Sequence, residues 1–252
     1  MSWDLIIMTA LKLVYSIGGG VGCGLLVCWL ASKLPSRHPP YVPPGLSEPV
    51  AAAWRAWPRG SRLWARYSVL AAMPLLWISV VWRSGFLWGT ISGWYLAVLA
   101  LAALTDLEHL RIYPGVMVLA MLIAAVIAPF SPWVSTTPWM NNKFWAALIS
   151  GIALFIVFFW LLPGLGRGLM SRQDAYPAAF IGLTFGFDAY CSVTLSGLLI
   201  AIFGIFAWII RRITKIEILP YILPVAPFLS IGAALCFVLY PCSRLCSWMK
   251  LT

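Results

Sequence analysis

The residues best suited to chemistry in this chain are two carboxylates, Asp106 and Asp174. Acids are rare here, because only seven of the 252 residues are acidic and 17 are basic. Each of the two lies beside a long apolar run, where a carboxylate is costly to keep and usually serves a function. Each also opens a short segment that leads into another apolar run. We therefore expect the two carboxylates to work as a pair.

A pair of neighbouring carboxyl groups can hydrolyse a peptide bond. Two close carboxyls tend to share one proton, because both cannot ionise cheaply. The ionised member then takes a proton from water, while the protonated member polarises the peptide carbonyl. The pair titrates as a unit, so the sequence does not say which residue is the base. No Ser–His or Cys–His pair stands in a loop suited to replace it.

Simpler roles remain open for parts of these segments. Asp106 follows an apolar helix, and Pro114 suits the first turn of the next one, so Asp106 is expected in a helix–loop–helix turn. Asp174 directly precedes an apolar run, where aspartate is a common N-cap, so capping alone would also explain it. Glu108 is expected in solvent in the middle of the loop, and His109 is expected as a polar loop residue.

The other acids are expected to lie outside the pair. Asp188 falls in a tight turn after the next apolar run, which places it on the opposite side of a membrane. Glu217 follows several basic residues and fits a solvated face with local charge pairing.

The composition predicts a polytopic membrane protein. The chain is 62% hydrophobic and 10% charged, whereas a soluble domain carries roughly 25% charged residues. Its net charge of +10 is scattered between apolar runs, a pattern typical of the positive-inside bias rather than of a nucleic-acid-binding patch. The amino-terminal apolar run lacks a basic n-region, so we expect it to be a retained first span.

We expect an all-α, polytopic membrane helix bundle with about eight transmembrane helices. The apolar segments are approximately 5–30, 67–82, 86–104, 115–130, 144–162, 175–187, 191–210 and 218–240. A spanning helix needs about 20 residues, so the second and sixth segments are short for one. Twelve basic residues in one set of alternate loops, against five in the other, place both termini outside the cytoplasm. Asp106 and Asp174 then share the cytoplasmic face.

Two parts of the chain are expected to differ in organisation. Residues 1–66 would form the first transmembrane helix and a proline-rich cytoplasmic loop, and residues 67–252 would form the transmembrane core.

The six cysteines contain no CxxC pair and the chain has two histidines, so we expect no metal site. Cys242 and Cys246 could form a disulfide or remain thiols, and the sequence leaves both open.

Four stretches resemble motifs of the type IV prepilin peptidase family, the bacterial leader peptidases of pilus and type II secretion systems. Residues 18–35 resemble its glycine-rich first span, which ends in a basic residue, Leu and Pro. Residues 105–115 resemble its first aspartate motif, and residues 164–186 resemble the second, with Gly182 beyond the aspartate. Residues 219–232 resemble its last span. The stretches follow the family's order over most of the chain.

The chain departs from the family pattern at identifiable positions. Gln173 stands where the family usually has glycine before the second aspartate, and Tyr176 stands where lysine is common. The first cytoplasmic loop lacks the four cysteines that hold zinc in many members. Members without these cysteines exist, so their absence argues against a bound zinc ion but leaves the resemblance to the family intact.

The resemblance implies a membrane aspartyl endopeptidase with Asp106 and Asp174 as catalytic residues. Its substrate would be a prepilin or pseudopilin, cut after a glycine at the cytoplasmic face of the bacterial inner membrane to remove a short basic leader. Family members also N-methylate the new terminus with S-adenosylmethionine. No nucleotide-binding fingerprint is present, so methylation here follows from the resemblance alone. Proteolysis would need no cofactor, and the partners would be the substrate and membrane lipid, without nucleic acid.

Two other functions stay open at this point. Paired acids within a membrane also mark proton or cation pathways, and Pro220, Pro224 and Pro227 could interrupt a helix as transporters do. Transporters often have matching halves, which this sequence lacks. A catalytically degenerate assembly protein is the third interpretation, and the missing glycine before Asp174 favours it.

Overall fold

The computed structural model describes residues 3–34, 59–109, 111–165, 171–214 and 225–239. Over these ranges the chain is helical, with isolated β-bridges and no β-strand, which confirms the all-α class. The proline-rich loop 36–58, Glu217, and the pair Cys242 and Cys246 lie outside the described residues, so the expectations about them stay predictions.

The helices follow the expected apolar segments. They are α1 (Trp3–Lys33), α2 (Arg59–His109), α3 (Pro114–Ile127), α4 (Lys143–Ile156), α5 (Leu162–Leu165), α6 (Ala175–Phe185), α7 (Ala189–Thr214) and α8 (Ala226–Leu239). A π-helical turn, Val157–Leu161, joins α4 to α5. A 3₁₀ turn, Arg172–Asp174, leads directly into α6. The expected boundary between the two parts of the chain, at residue 66, falls within α2 and stays a prediction.

Helix α2 is a hairpin of two helical halves that turns at Gly85. A straight helix of its 51 residues would be about 77 Å long, more than twice the hydrocarbon thickness of a bilayer. Gly85 has φ 77° and ψ −179°, a conformation open to glycine. A Cβ placed on Gly93 would lie 2.6 Å from the ring of Trp77, and one on Gly89 would meet the backbone of Val81. The two halves therefore pack against each other, and the expected segments 67–82 and 86–104 correspond to them.

Four described helical segments are long and apolar enough to cross a membrane, which indicates a membrane protein. By length and composition they are Leu5–Lys33, Leu63–Glu108, Lys143–Leu161 and Ala189–Phe206, and Pro114–Phe130 and Ala226–Val238 are shorter apolar helices. The count of eight spans and the position of both termini stay predictions.

The helices pack around two apolar clusters. One cluster joins α1 to α2 through side chains such as Val27, Met73 and Trp77. The larger cluster joins the second half of α2 to α3, α4, α6, α7 and α8. Helix α6 lies at its centre, because every residue of α6 except Tyr176 is buried. A helix that is apolar all round is expected in such a position, and it brings the residue before it, Asp174, into the bundle.

Helices α4 and α6 approach closely through two glycines. A Cβ on Gly182 would lie 2.7 Å from Cα of Gly151, and a Cβ on Gly151 would lie 2.8 Å from Cγ of Leu183. Small residues at such crossings let helix backbones approach in membrane proteins. The glycine pair therefore lets the backbones of α4 and α6 lie in close contact.

We predict that Gly182→Ala lowers the thermal stability of the detergent-solubilised protein, because the added methyl group forces α4 away from α6. The matched control is Gly197→Ala in α7, where a Cβ meets nothing within 4 Å. That change should be neutral or stabilising by up to about 1 kcal/mol, since alanine has the higher helix propensity. Equal Tm values for the two variants would contradict the close packing.

Candidate functional site

Asp106 lies in the last turn of α2, and not in the loop where the sequence placed it. The helix continues to His109, beyond the end of the apolar run, because the polar residues of its last turn find partners inside the protein. The Asp106 side chain is buried, and its Oδ2 accepts a hydrogen bond of 3.2 Å from the backbone N–H of Ala226. Ala226 is the first residue of α8. The positive end of a helix dipole therefore faces the Asp106 carboxylate and stabilises its ionised form.

Asp174 ends the 3₁₀ turn that precedes α6, and it is buried as well. Its Oδ2 accepts a hydrogen bond of 3.0 Å from the backbone N–H of Ser171, and the hydroxyl of Ser171 accepts one of 3.2 Å from the N–H of Gln173. The two bonds form a capping box. The carboxyl thus closes the turn before α6 and makes no side-chain cap to α6 itself, so the expected N-cap role is only partly right.

Asp106 lies close enough to Asp174 for its charge to act on the Asp174 carboxyl. Burial is the larger influence that raises the pKa of Asp174 well above its usual range, and the negative charge of Asp106 raises it further. The N–H of Ser171 acts in the opposite direction and is outweighed. The charge of an acid 68 residues earlier in the sequence therefore acts on Asp174, which favours its protonated form.

Each carboxyl keeps one oxygen for chemistry. The hydrogen bonds to Ala226 and Ser171 both use Oδ2. Among the described residues, Oδ1 of Asp106 and Oδ1 of Asp174 make no hydrogen bond. A water molecule or a peptide carbonyl could therefore bind to these oxygens without displacing the bonds that hold the side chains in place.

Glu108 is buried and paired, so the expectation that it is solvated was wrong. Its carboxylate receives two hydrogen bonds from Arg66, at 2.6 Å from Nε and 2.9 Å from the terminal nitrogen. The side chain of Glu108 is 1% exposed and that of Arg66 is 33% exposed. Arg66 stands 19 residues before Gly85 and Glu108 stands 23 after it. A hairpin at Gly85 brings such positions together, and this spacing is the signal that could have identified the pair.

The first helix is tied to the same pair. The thiol of Cys28 in α1 lies 3.8 Å from the backbone oxygen of Arg66, to which it donates a weak hydrogen bond. The end of α2 that carries Asp106 is therefore braced by its own first half and by α1.

An arginine fastens the Asp174 turn to the end of α4. The guanidinium of Arg172 lies 5.6 Å from the ring centre of Phe159 and 6.0 Å from that of Trp160. Both rings belong to the π-helical turn, and such turns are frequent at functional sites. Cation–π contacts of this kind contribute about 0.5–2 kcal/mol.

Other candidate groups lie elsewhere or do not cluster. Asp188 follows α6 and its N–H donates to the hydroxyl of Ser135 at 2.6 Å, so it lies at the far end of α6 from Asp174. Helix α6 has 11 residues, which separates the two ends by about 16 Å. His109 is the last residue of α2. Over the described ranges, no group of three His, Cys, Asp or Glu residues could hold a metal ion.

Comparison of the chain with protein-family models, with curated proteins and with solved structures gives no match. The link to prepilin peptidases therefore rests on the sequence motifs, and it stays a prediction.

We predict that Arg66→Met destabilises the detergent-solubilised protein by about 1–3 kcal/mol, because the buried Glu108 carboxylate loses the two hydrogen bonds that Arg66 donates. Glu108→Leu alone leaves the more exposed arginine unpaired and should cost less. The double variant Arg66→Met/Glu108→Leu should recover much of the loss of Arg66→Met, since it removes both charges. Thermal unfolding of the wild type, the two single variants and the double variant completes a double-mutant cycle. Strictly additive changes in stability would contradict a direct interaction between Arg66 and Glu108.

We predict that Asp174 makes the protein less stable as the pH rises. Its pKa in the folded protein is raised above the roughly 3.9 of an unfolded chain. The stability gained by burying the neutral acid is present below that unfolded value and is lost as the pH rises through the raised pKa. Asp174→Asn cannot ionise, so its Tm should fall less over this range. Asp106→Asn should make the decrease of Tm with pH less steep than in the wild type, because it removes the charge near Asp174. Parallel curves for all three proteins would count against the interaction.

Proposed function

We propose that this protein is a membrane aspartyl endopeptidase in which Asp106 and Asp174 cleave a peptide bond at the membrane surface. The observation that carries the proposal is the burial of two acids from distant parts of the chain in segments joined by the hydrogen bond from Ile112 to Gln173, where the charge of one acts on the other. Buried acids in a membrane protein are expensive and mark functional sites. Two that influence each other's protonation provide the base and the acid that aspartic proteolysis requires.

The surroundings of the two acids favour one division of roles. Asp106 faces the first N–H of α8, which favours its charged form. Asp174 is buried beside that charge, which favours its neutral form. In the proposed mechanism Asp106 is the general base and Asp174 the general acid, a division that the sequence left open.

The proposed reaction balances within the pair. Asp106 takes a proton from water as the water oxygen bonds to the peptide carbon, and Asp174 gives its proton to the carbonyl oxygen. The tetrahedral intermediate then collapses as the C–N bond breaks. The amine nitrogen takes the proton held by Asp106, and Asp174 recovers its proton from the hydroxyl group, so both acids return to their starting states.

We propose a prepilin or pseudopilin as the substrate, cut to remove a short basic leader at the cytoplasmic face of a bacterial inner membrane. The support is the order of the sequence motifs, including the two aspartate segments and Gly182. Helices α3, α4 and α5 lie between the two acids in the sequence, and an even number of membrane crossings over this stretch would place both acids on one side. A methyl transfer from S-adenosylmethionine rests on the resemblance alone.

We predict that Asp106→Asn and Asp174→Asn each reduce leader removal by at least about 10³-fold, since residues that act as a unit fail when either is lost. Each variant is co-expressed with a candidate prepilin, and mass spectrometry of the pilin N-terminus reports cleavage and methylation together. The double variant should be no worse than either single one. Asp188→Asn, at the far end of α6, is the control and should process normally. Full processing by either single variant would remove that residue from the mechanism.

Ion transport is a second candidate, because the N-terminus of α8 faces a buried acid as half-helices do in transporters. Purified protein in proteoliposomes would then show a proton or cation flux that Asp106→Asn abolishes, without any peptidase activity. A degenerate assembly protein would show neither activity and would tolerate both substitutions.

A further inference from the structure

Gln173 forms a bridge between the two segments that carry the acids. Its side-chain Oε1 accepts a hydrogen bond of 3.0 Å from the backbone N–H of Ile112. Ile112 belongs to the short irregular segment between α2 and α3, six residues after Asp106. Gln173 directly precedes Asp174. One side chain therefore joins a segment adjoining the first acid to the turn that contains the second.

The bridge satisfies a backbone group that no helix satisfies. Residues 111–113 lie outside the helices, so the N–H of Ile112 has no helical acceptor. The Ile112 side chain is buried in the larger apolar cluster, which anchors this segment in the core. A buried donor left without an acceptor is costly, so the bond is strongly preferred. The position of the Ile112 N–H is therefore set by the packing of the Ile112 side chain and by its hydrogen bond to Gln173.

The backbone of Gln173 is fixed as well. Its N–H donates to the hydroxyl of Ser171, within the capping box that also holds the Asp174 carboxyl. The glutamine therefore has little freedom to release Ile112 without distorting the turn. The hydrogen bond therefore couples the segment after Asp106 to the turn of Asp174.

We propose that Gln173 is a positioning residue, which sets the separation of the Asp106 and Asp174 carboxyls by holding the Ile112 amide. A glycine at this position, as the family usually has, could not make this contact. The catalytic meaning of the bridge rests on the proposed peptidase function, whereas its effect on the two acids can be measured without substrate.

The test compares Gln173→Leu, which keeps the approximate size and loses the acceptor, with Gln173→Glu, which keeps an acceptor oxygen. We expect Gln173→Leu to speed hydrogen exchange of the Ile112 amide about tenfold or more and to weaken the dependence of Tm on pH, because the acids move apart. Gln173→Glu should restore amide protection. In the prepilin assay, Gln173→Leu should lower kcat about tenfold with KM changed less than twofold.

The matched control is Asn142→Leu, which removes one side-chain bond to a backbone N–H, that of Phe144 at 2.9 Å. Asn142 caps α4 at its amino-terminal end, away from the acids. This variant should lose stability by a similar mechanism while its kcat and the pH dependence of its Tm stay as in the wild type.

Two results would overturn the proposal. One is unchanged exchange at Ile112 in Gln173→Leu. The other is a loss of stability with an unchanged pH dependence, as in the Asn142 control, which would make the bridge structural only. Should the prepilin assay fail for the wild type, the exchange and Tm measurements still decide whether Gln173 positions the acids. The failure of the peptidase function and the failure of the bridge are therefore distinguishable.

Discussion

The structure depends on keeping two acidic side chains buried together in an apolar helix bundle. Taking a single ionised carboxylate out of water costs several kcal/mol even after the protein relaxes. Two charged carboxylates side by side would add their repulsion to that cost, so one proton between them is the stable arrangement. Each acid accepts one backbone hydrogen bond: Asp106 accepts it from Ala226 and Asp174 accepts it from Ser171. Each of these donors offsets part of the cost of burying a carboxylate.

The acids are held from three independent directions. The ion pair of Glu108 with Arg66 anchors the end of α2 that carries Asp106. The contact of Gly151 with Gly182 fixes α6, and with it the turn that carries Asp174. The bond from Ile112 to Gln173 joins the segment that follows α2 to the turn that carries Asp174. Because each restraint uses different elements, the relative position of the acids is set before any ligand arrives, and such preorganisation is what lets a site act on a bound group.

Hydropathy predicted the helical segments well, and it failed where polar partners decide the structure. The apolar runs correspond to helices, and even the two runs within α2 are separated by the turn at Gly85. The sequence predicts an end of the apolar segment near residue 104, whereas α2 ends at His109. Hydropathy reflects contact with lipid or core, and it does not detect the hydrogen bonds that extend the helix. Glu108 was misjudged because its partner lies 42 residues away. Gln173 was noted as a missing glycine, since its partner Ile112 is not local in sequence and no periodicity reveals it.

A buried acid pair alone does not separate a hydrolase from an ion carrier, because both need acids inside the membrane. The protonation of the pair does separate them. A hydrolase needs one ionised and one neutral carboxyl at the same time, each with an oxygen open to the substrate. A carrier needs a group that loads and empties as it is exposed to opposite sides. Asp106 faces a helix N-terminus that favours charge, and Asp174 is buried where the neutral form is favoured. Each acid also receives one backbone N–H, so the difference comes from the helix N-terminus at Asp106 and from the charge that Asp106 places near Asp174. The proposed hydrolysis requires such a standing difference, whereas a carrier would have to remove it in each cycle.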